Sequence, residues 1–347
     1  MREAEAARYV NALCAELYRR KEYLQDLPVT TLYFGGGTPS RLSAQQIGQV
    51  IDCIRNTYAI DSLEELTVEC NPDDITSAYV SALKALGVNR ISMGVQSFDD
   101  NLLRFLGRRH TAAQAISAVQ TCKECGITNI SIDLMYGLPG QTPQIQQQDL
   151  ETATSLDVQH ISSYCLSFEE GSPLEKMRNE GCIKAADDDT CAQMYDRMCS
   201  HMHNAGFSHY EISNFCRPGY HSRHNSSYWD STPYLGVGAG AHSYNGRSRQ
   251  WNPNDLDAYM TGIEQGKPQY EIENLSQTDL YNERLMLRLR TAQGLNLSTL
   301  TPQDCHSVLQ SADALIKDGL LHLQNDTLCI PEQKMFISDT IISSLFK

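Results

Sequence analysis

The chain has 347 residues, of which 41% are apolar and 20% charged, and this composition predicts a globular protein with a barrel-sized domain and a smaller one. The formal net charge of −14 argues against a large nucleic-acid-binding face and against binding to an anionic membrane surface. No apolar run is long enough to cross a bilayer, and the N-terminus lacks the apolar core of a signal peptide and is too acidic for a transit peptide. We therefore expect a cytoplasmic protein whose twelve cysteines are mostly free thiols.

Helical and strand patterns alternate through the first half of the chain. Helices are predicted over residues 1–24, 43–57, 75–86, 111–125 and 144–156, and strands over residues 29–34, 66–69, 90–96, 129–136 and 160–168. Alternation of this kind implies βαβ units and a parallel sheet.

The last quarter of the chain has a different pattern. A domain boundary is predicted near residues 251–254, which divides the chain into residues 1–252 and residues 253–347. Helices are predicted from residue 256 and over residues 278–291, 301–321 and 334–346, with a hairpin over residues 321–330. Helices followed by a hairpin suggest a small α+β domain of winged-helix type. Because the chain is acidic, a structural or docking role is favoured there over DNA binding.

Each predicted strand of the first half becomes polar or glycine-rich where it ends. These ends lie at residues 35–38, 69–72 and 96–98, at Asp133 and at residues 167–170. In α/β barrels the active site is built at the carboxyl ends of the strands. Loops are polar in any case, but five such ends in succession favour a ligand site, and the three glycines of the first would let a ligand lie against bare backbone.

Four motifs occur in a characteristic order: Gly35–Pro39, Val68–Pro72, Gly94–Phe98 and Ile132–Thr142. Together they resemble the radical S-adenosylmethionine proteins of the oxygen-independent coproporphyrinogen dehydrogenase group. The resemblance implies an α/β fold, a partial (β/α)6 barrel that here lacks its first strand, followed by the small C-terminal domain.

The same resemblance implies a set of residues that bind S-adenosylmethionine: Gly36, Gly37, Thr38, Glu69, Gln96, Arg108 and Asp133. Their chemistry suits this cofactor, because Glu69 and Asp133 can accept from its ammonium and hydroxyl groups and Arg108 can pair with its carboxylate. Taken without the resemblance, Arg108 would be read as a solvated surface arginine beside Arg109.

A second set of segments narrows the group: Tyr210–Phe215, Ser222–Trp229 and Gly236–Ser243. The His-Asn-x-x-Tyr-Trp element within Ser222–Trp229 resembles the HemW-type heme chaperones. That resemblance implies heme as bound cargo, a heme-acceptor protein as partner and His224 as a candidate iron ligand, with His242 as the second candidate. A hydrogen-bonded loop histidine is the alternative for His224.

Two functions therefore stay open, a heme chaperone and an oxygen-independent coproporphyrinogen III oxidase that decarboxylates its substrate by radical chemistry. The chaperone is favoured by the His224 element. A homodimer is one option for assembly.

Proteins of this group hold a [4Fe-4S] cluster with a Cys-x3-Cys-x2-Cys motif, and no cysteines of this sequence have that spacing. We therefore expect that the chain as given neither assembles the cluster nor cleaves S-adenosylmethionine. An N-terminally shortened form and a paralogue that lost the cluster both fit, and the first is favoured because the cofactor residues are present.

Two weaker clusters are interpreted as structural. His201 and His203, with His209 nearby, could bind a metal, but residues two apart on a helix point to different faces. Cys122 and Cys125 form an isolated Cys-x2-Cys pair without a second pair at zinc-finger spacing.

Overall fold

The computed structural model describes residues 3–60 and 62–347. Its helices are α1 Glu3–Arg19, α2 Ala44–Thr57, α3 Ser77–Ala85, α4 Asp100–Phe105, α5 Ala112–Glu124, α6 Pro143–Ser155, α7 Pro173–Asn179, α8 Asp188–Asn204, α9 Arg223–Trp229, α10 Leu256–Glu264, α11 Gln277–Arg288, α12 Pro302–Lys317 and α13 Ser338–Ser343. Its strands are β1 Thr31–Phe34, β2 Glu65–Cys70, β3 Arg90–Gln96, β4 Ile130–Tyr136, β5 His160–Cys165, β6 Ser208–Glu211, β7 Asn214–Cys216, β8 His242–Tyr244, β9 Ser248–Trp251, β10 Glu271–Asn274, β11 Leu295–Asn296, β12 His322–Gln324 and β13 Thr327–Cys329.

The main sheet has seven strands in the order β1-β2-β3-β4-β5-β7-β6. Strands β1 to β5 are parallel, β7 runs antiparallel to β5, and β6 and β7 form a hairpin. Within the described residues β1 pairs only with β2, so it forms one edge of the sheet. This architecture confirms the predicted α/β fold.

The boundaries of the elements follow local signals in the sequence. Ser43 and Thr111 form capping boxes at the starts of α2 and α5, and α3 and α5 end before Gly87 and Gly126, both with positive φ. The predicted strand over residues 160–168 is three residues too long. Strand β5 ends at Cys165 because its partner β4 ends at Tyr136, so residues beyond Cys165 have no strand to pair with.

Two further sheets follow the main one. The first has the order β10-β9-β8, and the second has the order β11-β13-β12 and contains the predicted hairpin. The boundary predicted after residue 252 falls between two paired strands, because Trp251 of β9 is opposite Glu271 of β10. Among the described residues, no helix has both the length and the apolar character needed to cross a membrane.

Helix α1 is joined to the second half of the chain through the buried carboxylate of Glu16. One carboxylate oxygen accepts from Asn252 Nδ2 at 2.8 Å, and the other accepts from the Tyr259 hydroxyl at 2.6 Å and from the Gly238 amide at 3.0 Å. Arg20, which directly follows α1, forms an ion pair with Glu16 at 3.2 Å. Glu16 is only 3% exposed, so these bonds replace water that the carboxylate has lost.

We expect Glu16→Ala to lower the free energy of unfolding by about 3–5 kcal/mol, because it leaves the buried partners of the carboxylate unpaired. The exposed Glu22 is the matched control, and Glu22→Ala is expected to change stability by less than about 0.5 kcal/mol. Urea unfolding followed by circular dichroism measures both. Equal losses in the two variants would contradict this role of Glu16.

Candidate functional site

A polar cavity of about 60 Å³ lies against the inner face of the half-barrel. Its floor is made of side chains from three adjacent strands, Ser92 of β3, Ser131 and Asp133 of β4, and Ser162 of β5. Strand register places them side by side, since Ser92 is opposite Ser131 and Asp133 is opposite Ser162. Inward positions of a small barrel are usually filled by apolar side chains, so polar residues here indicate room for a polar ligand.

Glu69 stands at the end of β2 and joins the glycine turn to the cavity. It accepts a hydrogen bond from the Tyr33 hydroxyl at 2.7 Å and one from the Gly36 amide at 3.2 Å. Burial raises the pKa of the Glu69 carboxyl, and these two bonds lower it. A side chain at Gly35 would overlap both Tyr33 and Glu69, so the turn needs a glycine at this position.

The rest of the turn is open. Gly36 has φ of +79°, a conformation that favours glycine, and no atom lies within 4 Å of where a Cβ would stand at Gly36 or Gly37. Thr38 follows at the start of a short 3-10 turn, where its side chain forms no capping bond. Of these three predicted residues, Gly36 contacts Glu69 through its amide, and Gly36 and Gly37 present open backbone.

Gln96 and Arg108 come together beside Gly94. A bulge interrupts β3 between Gly94 and Gln96, where Gln96 adopts φ of +73°. Arg108 donates to Asn71 Oδ1 and to the Gly94 carbonyl, both at 2.8 Å. A Cβ at Gly94 would lie 3.1 Å from Gln96 Nε2 and 3.3 Å from Arg108 Nη2. The half-buried, hydrogen-bonded Arg108 is thus not a solvated surface arginine.

Of the carboxyl groups of Glu69 and Asp133, which both line the cavity, that of Asp133 has the more strongly shifted pKa. Burial and the nearby charge of Glu69 raise this pKa to about 7. The hydrogen bond from Ser162 and the positive charges of Arg90 and Arg108 act in the opposite direction. A carboxyl with this pKa is poised to ionise when a cationic group enters.

This pKa has a consequence for stability. Because the folded-state pKa of Asp133 is raised from 3.8 to about 7, its contribution to stability is fully present below pH 4 and is lost as the pH rises through 7. We expect Asp133→Asn to be more stable than the wild type at pH 8 by at least about 1 kcal/mol, since one pKa unit corresponds to about 1.4 kcal/mol. The gain should disappear near pH 4. Urea unfolding at both pH values checks this, and an equal difference at both would contradict it.

His224 lies on α9 and packs against β1. Its ring stacks on Tyr33 at a centroid distance of 4.9 Å, Nδ1 lies 2.9 Å from Thr31 Oγ1, and Nε2 lies 2.9 Å from the Tyr228 hydroxyl. Burial lowers the pKa of His224 to about 4, with the charge of Glu65 acting in the opposite direction. The imidazole is therefore neutral at physiological pH.

His242 differs from His224 in its surroundings. It is exposed at the start of β8 and stacks on Trp251 at 5.9 Å. The two candidate histidines thus lie in different places, His224 partly buried against the edge strand β1 and His242 exposed on β8.

The radical S-adenosylmethionine fold also implies an iron–sulfur cluster. Among residues 3–60 and 62–347, no three cysteine sulfurs come together. Cys70, next to Glu69, is buried by itself at the end of β2. The described residues therefore do not fit a [4Fe-4S] cluster.

Several residues of the site were not predicted. They are Tyr33, Arg90, Ser92, Ser131, Ser162, Tyr164 and Asn225. A signal for the strand residues existed, since Ser92, Ser131 and Ser162 alternate with buried apolar residues along their strands. Asn225 belongs to the His-Asn-x-x-Tyr-Trp element, but no local signal places it or Tyr33 in this cavity, because that depends on where α9 packs against the sheet.

Matches to family models identify the chain as a radical S-adenosylmethionine protein. The family model described as "Radical SAM superfamily" matches residues 8–152, and the model described as "HemN C-terminal domain" matches residues 275–337. The solved structure of coproporphyrinogen III oxidase (HemN) from Escherichia coli, described as a radical SAM enzyme, superposes with a TM-score of 0.85 over 100% of this chain and 85% of that one. Its sequence identity is 21%, so this likeness concerns the fold alone.

Proteins with a higher sequence identity to this chain than HemN identify its family. The chain is 33% identical to the heme chaperone HemW of Mycobacterium tuberculosis, over 97% of this chain and 86% of that protein. It is 33% identical to that of Bacillus subtilis, over 97% and 90%, and 38% identical to that of Lactococcus lactis, over 76% and 70%. The chain belongs to the HemW heme chaperone family.

Proposed function

We propose that this protein is a heme chaperone, which binds heme and transfers it to acceptor proteins, and that it binds S-adenosylmethionine in its half-barrel. The observation that carries the proposal is the placement of His224. It is held against the edge strand β1 within a family whose similar members are named heme chaperones.

The surroundings of His224 suit a ligand for heme iron. The bond between Nδ1 and Thr31 fixes the orientation of the ring, as outer partners commonly do for metal-binding histidines. Nε2 faces only the hydroxyl of Tyr228, a side chain that is 38% exposed and can move aside. The low pKa keeps the coordinating lone pair free of a proton at neutral pH.

The cavity residues suit S-adenosylmethionine. Glu69 and Asp133 offer carboxylates to the ammonium and hydroxyl groups, Arg108 offers a guanidinium to the carboxylate, and Gly36 and Gly37 leave their backbone open. In the radical S-adenosylmethionine proteins this cofactor supplies a cleavable sulfonium carbon–sulfur bond. For this chain we propose binding and orientation of the cofactor by these residues.

A carrier and an enzyme can be told apart directly. We expect heme to pass from the loaded protein to apomyoglobin, seen as the shift of the absorption band to that of holomyoglobin. We also expect coproporphyrinogen III to be recovered unchanged after anaerobic incubation with the protein, S-adenosylmethionine and a reductant. Retention of heme would contradict the chaperone role, and formation of a decarboxylated product would favour the oxidase.

A further inference from the structure

A second group of ligand-type side chains lies outside the polar cavity. It consists of Cys199 on α8, His209 on β6 and Glu332, which follows Pro331 in the C-terminal part of the chain. One sulfur, nitrogen or oxygen atom of each lies within 4.8 Å of those of the other two. His203, one turn after Cys199 on α8, reaches the same carboxylate, with Nε2 2.8 Å from Glu332 Oε1 and 3.0 Å from Oε2.

The ring of His209 is held in one orientation. It stacks on Phe215 at a centroid distance of 4.3 Å, and Tyr195 meets it edge-on at 6.1 Å. Its Nε2 lies 3.3 Å from the carbonyl oxygen of Ile212, and its Nδ1 lies 2.9 Å from Glu332 Oε1.

This arrangement brings two histidine nitrogens to one carboxylate, His203 Nε2 and His209 Nδ1. The ring of His209 lies between two groups that accept, the Glu332 carboxylate and the Ile212 carbonyl, and a neutral imidazole can donate to only one of them. A cation bound at Nδ1 would let Nε2 donate to the carbonyl. A histidine that coordinates through one nitrogen and donates from the other to a backbone carbonyl is the usual arrangement in metal sites.

The donor types indicate which cation. A thiol, imidazoles and a carboxylate are the ligands of structural zinc sites, and four such side chains satisfy its tetrahedral preference. We propose that Cys199, His209 and Glu332 bind a Zn²⁺ ion, with His203 as the fourth ligand. The site would link α8 and β6 of the barrel to the C-terminal part of the chain.

Zn²⁺ binding is also coupled to the loss of the proton of the Cys199 thiol. Cys199 is a buried free thiol, and such a thiol keeps its hydrogen in the absence of a metal. Coordination requires the thiolate, so each Zn²⁺ bound releases that proton to solvent. Zinc affinity therefore increases with pH.

The metal site considered from the sequence consists of His201, His203 and His209 and does not include Cys199 or Glu332. His201 does point elsewhere, as the spacing predicts, since its Nε2 lies 3.1 Å from Thr154 Oγ1. The pair that shares a face is Cys199 with His203, four residues apart on α8. The contribution of Glu332 is visible only when the C-terminal part packs beside the barrel.

Cobalt and zinc binding test the site in the whole chain after removal of metals with a chelator. We expect one Zn²⁺ per chain to be retained against a chromophoric competitor and to raise the melting temperature. Co²⁺ in its place should give thiolate-to-cobalt charge-transfer absorption and the visible bands of tetrahedral cobalt. Cys199→Ser and Glu332→Gln should each weaken Zn²⁺ binding by at least about 100-fold, because loss of even an outer partner of a metal ligand costs about 10–100-fold.

Cys182→Ser is the matched control, since Cys182 is an exposed thiol in the turn after α7, and it should leave binding and spectra unchanged. Circular dichroism establishes that each variant is folded. The proposal is overturned if the wild type shows no saturable Zn²⁺ binding, or if the charge-transfer absorption of Co²⁺ persists in Cys199→Ser. Either result would leave a carboxylate hydrogen-bonded to two histidines as the meaning of the cluster.

Discussion

Replacement of His224 by alanine is expected to weaken the binding of ferric heme by at least about tenfold, because a loss of only 1.4 kcal/mol from the iron–imidazole bond corresponds to a factor of ten. The absorption of the remaining heme should change to that of a complex without this nitrogen ligand. Equilibrium titration followed in the Soret region measures both effects. An unchanged affinity and spectrum would remove His224 from the heme site.

His242→Ala is the matched control for this experiment. His242 is also a histidine stacked on an aromatic ring, but it lies on β8 at the surface. We expect this variant to bind heme as the wild type does. If it loses the heme spectrum while His224→Ala keeps it, the second candidate is the ligand.

The pH dependence of heme binding follows from the pKa of His224, which burial lowers to about 4. Protonation competes with iron for Nε2, so affinity should stay constant from pH 8 to about pH 5 and fall as the pH approaches 4. An ordinary histidine would lose affinity near pH 6.5. Titrations at four pH values separate the two, and a midpoint near 6.5 would contradict the buried environment.

The second large effect is expected at Glu69. Glu69→Gln should weaken binding of S-adenosylmethionine by roughly tenfold to 150-fold, since a hydrogen bond to a charged group contributes about 1.5–3 kcal/mol. Glu151→Gln, on the exposed face of α6, serves as the control and should bind as the wild type does. Isothermal titration calorimetry provides the affinities. Equal affinities in the two variants would mean that Glu69 does not hold the cofactor.

Asp133 should make the same binding depend on pH. A cation in the cavity favours the ionised carboxylate, whose pKa in the free protein is about 7, so affinity should increase between pH 6 and pH 8. Asp133→Asn should bind more weakly at pH 8 and lose this dependence. Calorimetry in buffers of different ionisation enthalpy would also reveal the proton released on binding.

Tyr33 connects the two regions that these variants probe. Its ring stacks on His224, and its hydroxyl donates to Glu69. One tyrosine side chain thereby contacts both the candidate heme ligand His224 and the proposed cofactor residue Glu69. This connection could not be predicted from the sequence, because a tyrosine in the middle of a strand is usually read as a packing residue.

That several of the proposed cofactor residues lie near one another could be predicted because they follow strands, and the carboxyl ends of parallel strands share one edge of a sheet. Glu69, Asp133 and the glycine turn are of this kind. Cys199 and Glu332 could not be paired in advance, because nothing in either segment specifies which surface of the barrel the C-terminal part packs against. Strand β5 was predicted too long because its length depends on its partner β4.

Heme binding by this chain is tested most directly by an equilibrium titration with ferric heme. We expect a Soret band that saturates at one heme per chain and that shifts in His224→Ala. Absorption that increases without saturation, as for heme adsorbed on an unspecific surface, would contradict it.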